Sequence, residues 1–159
     1  MSLAPRPSPA GLVLEVKEFL NGLIREFPGM FVRDAGSPPD ARAGRKLARE
    51  VFARRAEHWS REMGVAYKSV RVKDQRSLWG SCTREGSLNF NWRVVMAPSE
   101  VLDYLVIHEL AHLLEMNHSR RFWAHVARWS PDYKAHRRWL REHGHKLRGR
   151  PGTQPIRFE

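Results

Sequence analysis

Apolar residues recur along this chain with two different periods, and the changes of period divide it into segments. Leu12, Val16, Phe19, Leu20, Leu23, Ile24 and Phe27 share one helical face, and Pro28-Gly29 ends that run. Residues 34–40, Asp-Ala-Gly-Ser-Pro-Pro-Asp, read as a loop or linker. The helical period returns over 41–63, with Leu47, Val51, Phe52, Ala56 and Trp59 on one stripe and arginines on the other. Gly64 is the natural stop.

From Ala66 to Lys73 the period shortens to two, basic residues alternating with Val70 and Val72. Ser77 to Ser81 reads as another short strand, and Arg84-Glu85-Gly86 as a turn. Ser87 to Val95 alternates again, with Leu88, Phe90 and Trp92 on one face and Asn89, Asn91 and Arg93 on the other. The expectation is a small antiparallel sheet of about three strands.

After Pro98 the helical period resumes. Ser99 is the expected cap, Glu100 and Asp103 suit the positive end of the dipole, and the helix is expected to reach Glu115. Asn117 and His118 form a turn, and Ser119 caps a helix running to Trp129. Ser130-Pro131 breaks it, and a last helix runs from Asp132 to Gly144. Helices, sheet and helices in that order predict an α+β single domain. The boundaries read as an N-terminal helix and linker over 1–40, the main domain over 41–146 and a flexible tail over 147–159.

Composition narrows the chemistry. The 159 residues suffice for one domain with a core of its own. A single cysteine, Cys82, excludes an intrachain disulfide and any multi-cysteine zinc module. No apolar run exceeds four residues, as in Val94 to Ala97, so no membrane span or secretory signal is expected, and a cytoplasmic location is. The formal net charge of +11 suggests an acidic or polyanionic partner.

The histidines carry more. His108-Glu109-Leu110-Ala111-His112 lies within the helix after Pro98. Two histidines four apart project from one helical face and can converge on a metal ion, with Glu109 beside a metal-bound water. With eight His in 159 residues, the pattern is expected by chance only about 0.03 times. Leu102, Leu105, Val106, Ile107, Leu110, Leu113 and Leu114 surround the helix, so it is buried and its polar residues need compensation. A catalytic zinc takes three protein ligands and keeps one position open. His118, reached by a turn at Met116-Asn117, is the favoured third ligand; His125 is the runner-up, and Glu115 fits the helix face but not the far side of the metal.

Six blocks then carry a family resemblance: Arg76 to Cys82, Gly86 to Arg93, Pro98 to Tyr104, His108 to His112, Asn117-His118-Ser119 with Phe122-Trp123, and Pro131-Asp132-Tyr133. In this order, over residues 45–143, they resemble the YgjP-like metallopeptidases, relatives of the SprT-like and WSS1-like proteases that act on DNA-bound proteins. The resemblance implies a zincin-like fold, a small sheet beside an active-site helix. It implies Zn2+ held by His108, His112 and His118, with Glu109 as general base. The expected activity is zinc-dependent hydrolysis of peptide bonds.

An extended protein or peptide substrate is expected along a strand edge, Leu88 to Trp92 being the favoured strand. Asn89 and Asn91 on that strand, and Tyr133 as an oxyanion donor from the last helix, are the expected substrate-side residues. Trp79 is expected in the core and Cys82 as a buried inert thiol. Residues 120–150 hold ten Lys and Arg against two acidic residues, a face that would suit a substrate held on nucleic acid. The competing reading is a basic nucleic-acid-associated protein with a structural metal, which would need a fourth ligand such as Cys82.

Overall fold

The computed structural model describes residues 41–75 and 77–147, so the helix expected at 12–27, the linker at 34–40 and the tail after Leu147 lie outside the described residues. The elements are α1 (Ala41–Met63), β1 (Ser69–Lys73), β2 (Gly80–Cys82), β3 (Ser87–Asn91), a 3₁₀ turn (Trp92–Met96), α2 (Ser99–Ala111), α3 (Arg120–Trp129) and α4 (Tyr133–Leu147). The fold is α+β.

Helix α1 buries Leu47, Ala48, Val51, Phe52 and Ala56, positions spaced so that one stripe faces the sheet. Phe52 lies flat on Phe90 of β3, ring centroids 4.4 Å apart and planes 6° from parallel. Gly64 ends the helix at φ 67°, a conformation a β-carbon disfavours.

The sheet corrects one expectation. It has three strands in the order β1-β3-β2, and it is mixed. β2 and β3 form the antiparallel hairpin, Gly80 opposite Phe90, but β1 runs parallel to β3, Ser69 opposite Ser87. The chain leaves β1, reverses into β2 two strand positions away, and returns through β3 between them. Alternation within a strand encodes which residues share a face, not which strand lies alongside, so this insertion was not readable. Its consequence is that β3 is central, and all five of its residues are buried. The strand expected to run to Val95 ends at Asn91, whose side chain caps the 3₁₀ turn by accepting from the amide of Arg93 at 3.1 Å.

Helix α2 is wrapped on nearly every side, with ten of its residues buried, from Val101 to Ala111. Ser99 is not its cap; Pro98 holds that position without a side-chain bond. The Ser99 hydroxyl instead accepts from Arg55 Nη2 at 2.9 Å, and Arg55 also reaches the Asp103 carboxylate, tying α1 to the first turns of α2. The helix ends at Ala111 rather than Glu115. Among the described residues no helix is long and apolar enough to cross a membrane.

Candidate metal centre

His108 and His112 stand one turn apart at the end of α2, 1% and 7% exposed. His112 is the C-cap, and the chain turns through Leu113 and Leu114, whose amides bond the carbonyls of Leu110 and Ala111, each at 3.0 Å. That turn brings His118 back over the helix end. Its Nε2 lies 3.2 Å from His108 Nε2, and ligand atoms of all three histidines lie within 4.8 Å of one another. His112 Nδ1 donates to the Glu115 carbonyl at 3.3 Å, so the ring's acceptor nitrogen, the one able to bind a metal, is Nε2. Asn117 accepts from the Ser119 amide at 3.1 Å, and Ser119 caps α3 by accepting from the amide of Phe122 at 3.3 Å. These bonds fix the backbone on both sides of His118.

The cap also aims the first turn of α3 at the histidines. Phe122, fully buried, has its ring centroid 4.9, 4.5 and 4.7 Å from those of His108, His112 and His118. Trp123 stacks on His118 at 5.7 Å and on Tyr133 of α4 at 5.1 Å. Burial holds the His118 pKa below the ordinary histidine value, helped by the neighbouring His112 and Arg137. Such an imidazole is kept in the neutral form that binds metal.

Glu109 is 3% exposed, and its carboxylate lies against the backbone of Gly80 on β2. Two neighbours register its charge. Burial, and then Glu109, push the Cys82 thiol up to about 12. Burial likewise raises the pKa of Tyr104, Arg137 opposing it and Glu109 and Tyr133 adding to it. Tyr104 sits edge-on to His108, centroids 5.8 Å apart.

Of the expected residues, His108, His112 and His118 come together, and this is the group able to hold a metal among the described residues. Glu115 is turned to Arg121, 3.5 Å away, and His125 lies on α3 outside the group. Cys82 bonds the Thr83 carbonyl and adds no fourth ligand to the group. Tyr133 reaches the site through Trp123. Asn89 and Asn91 are buried in the sheet instead: Asn89 donates to Ser81 Oγ at 3.2 Å, and Asn91 to the Gln75 carbonyl at 2.7 Å. Gly80 falls in the Arg76–Cys82 block, but nothing in the sequence marks its contact with Glu109, and no motif marks Arg137. Arg137 is four residues past Tyr133, so one helical face presents both, a spacing that could have flagged it.

Comparison with known proteins agrees with this fold. The structure is similar to the crystal structure of a metallopeptidase zymogen, abylysin of Pyrococcus abyssi, with a TM-score of 0.53 and 24% identity over 57% of this chain and 92% of that one. No curated protein matches the chain. The YgjP-like metallopeptidase domain matches residues 41–143, well over half of the chain. The chain therefore belongs to the YgjP-like family and is a metal-dependent peptidase.

Proposed function

We propose that the metal is zinc, held by His108, His112 and His118, and that Glu109 is the general base of peptide-bond hydrolysis. The observation that carries the reading is the convergence of three imidazoles, one nitrogen of each within 4.8 Å of the others, at the end of a buried helix. The donor set fits. Nitrogens about 2.0–2.1 Å from one tetrahedral ion lie about 3.3–3.4 Å apart, and the His108 and His118 Nε2 atoms are 3.2 Å apart. Three protein donors leave a position for water, as in catalytic rather than structural sites. Bound by these three histidines, zinc would supply Lewis acidity, lowering the pKa of a bound water toward about 7 and polarising a carbonyl.

The protein groups do the rest. Glu109 accepts the proton of the attacking water and returns it to the departing amine. Burial of the carboxylate against Gly80 restricts where that proton can be taken. β2 is an outer strand beside Glu109, so an extended peptide is assigned to its edge by strand addition. This replaces the Leu88–Trp92 edge, since β3 is central. Tyr133, stacked beside the ligand-bearing turn, is retained as a substrate-side hydrogen-bond donor, while Asn89 and Asn91 serve the sheet.

Metal content and hydrolysis, measured together on wild type and Glu109→Gln, test this. Both proteins are expected to hold about one zinc per chain, with hydrolysis falling by about 10²–10⁴ in the variant. Wild type without divalent metal defeats the ligand assignment, and an active variant defeats the base.

A further inference from the structure

The two helices flanking the histidines are strongly basic where a substrate would approach. α3 and α4 carry eight Lys and Arg against one acidic residue, Glu142. Of these cations, Arg137 lies over the aromatic cluster beside the histidines. Its guanidinium carbon lies 5.1 Å from the centroid of Trp123, the indole that stacks on His118 and on Tyr133. Arg137 is exposed, so its guanidinium meets solvent beside the indole that stacks on His118. The guanidinium therefore stands at the mouth of the metal site, held over an aromatic surface.

We propose that Arg137 is a specificity-determining residue that receives a substrate carboxylate beside the scissile bond. A guanidinium presents a fork of N–H donors that matches a carboxylate and leaves an aromatic face as its support. Its seat over Trp123 limits where the fork can lie, so less side-chain entropy is lost on binding. The surrounding cations on α4, Lys134, Arg138 and Arg141, add an attractive field that draws an acidic segment toward the site. The carboxylate comes from an acidic side chain or from a free C-terminus.

The inference rests on the peptidase reading, so the test separates the two. Zinc-loaded full-length protein is assayed on matched peptides carrying Asp, Asn or Lys next to the scissile bond, each with a free or amidated C-terminus. Wild type is expected to favour the carboxylate-bearing member about tenfold in kcat/KM. Preference for Asp over Asn assigns the side chain, and preference for free acid over amide assigns the terminus. Arg137→Gln is expected to bring the ratio near one, kcat/KM falling about tenfold more on carboxylate-bearing peptides than on neutral ones. Arg137→Lys keeps part of the preference, and Arg137→Glu turns it toward Lys.

Loss of activity on every peptide alike in Arg137→Gln would mean that Arg137 only supports Trp123, and overturns the proposal. So does an unchanged ratio. Anisotropy of labelled peptides on Glu109→Gln, with and without Arg137→Gln, supplies a readout that needs no turnover. If wild type cleaves nothing, the peptidase reading fails, while carboxylate-selective binding lost with Arg137 still upholds the inference. Binding without such selectivity defeats it.

Discussion

The backbone of Gly80 lies so close to Glu109 that a β-carbon there would stand 2.4 Å from Oε1 and 2.9 Å from Cδ. The carboxylate thus has its floor in strand β2, and no larger residue fits without moving it. Gly80→Ala is expected to lower kcat/KM by about 10²-fold or more, since a displacement of about 1 Å misaligns the base. Stability falls by about 1–3 kcal/mol from overpacking. Bound zinc stays near one per chain, because the histidines do not rest on Gly80. Assaying hydrolysis and metal content on one preparation checks this; full activity in the variant would show that Glu109 sits elsewhere when working.

Phe122 closes the opposite side of the site. Its ring touches all three imidazoles, so it fixes their planes and excludes water from them. Phe122→Ala is expected to weaken zinc binding about 10–100-fold, the range for groups that orient ligands without binding metal. The cavity costs about 3–5 kcal/mol of stability. Competition against a chelator of known affinity measures the first effect and urea unfolding the second. Phe122→Leu, which keeps much of the volume, is expected to lie between.

The helical parts of this arrangement are legible in the sequence because a core-facing helix must repeat its apolar residues every three to four positions. Residues 41–63 do so, and Ser119 and Gly64 act as the cap and stop that their chemistry suggests. The His108–His112 pair is legible for the same reason, since spacing alone places both on one face. Two kinds of relationship are not. The parallel pairing of β1 with β3 depends on which strand the chain inserts between, and it is this pairing that buries Asn89 and Asn91. The contacts of Gly80 with Glu109 and of Arg137 with Trp123 join different elements, across which no period runs. Ser99 shows the limit for caps: a distant partner, Arg55, claims the hydroxyl that local spacing assigns to the helix end.

Cys82 provides a pH-dependent check on the placement of Glu109. Its pKa is raised from 9.0 to about 12, first by burial and then by the Glu109 charge. A thiol whose folded pKa lies above its unfolded one binds its proton more tightly in the native state. Its contribution to stability is therefore complete below pH 9 and is lost as pH rises from 9 toward 12. Alkylation by iodoacetamide at pH 8 is expected to be much slower in native than in unfolded protein, because the thiolate is the reacting form. Glu109→Gln removes one of the two causes and is expected to speed the native reaction. Equal rates in both proteins would place the carboxylate away from Cys82.

Helix α2 is held at its first turns by Arg55 of α1. Arg55 sends Nη2 to Ser99 Oγ at 2.9 Å, Nη1 to the Ser99 carbonyl at 3.4 Å, and pairs with the Asp103 carboxylate, to which Trp59 Nε1 also donates at 2.9 Å. The Arg55 side chain is 7% exposed and that of Asp103 31%. Losing one partner of a fully buried pair costs about 3–5 kcal/mol, but water reaches Asp103, so the expected cost of Arg55→Met is about 2–3 kcal/mol. Arg55→Lys is expected to recover little of it, because an ammonium cannot reach Ser99 and Asp103 with one planar fork. The loss is expected in stability alone. Arg55 grips the first turns of α2, while His108 and His112 lie at its other end, where buried neighbours hold the helix independently. kcat/KM of the folded variant at 25 °C should thus stay within about twofold of wild type while its urea midpoint falls. A parallel drop in zinc affinity would mean that the grip at Ser99 and Asp103 sets the metal geometry through the length of the helix.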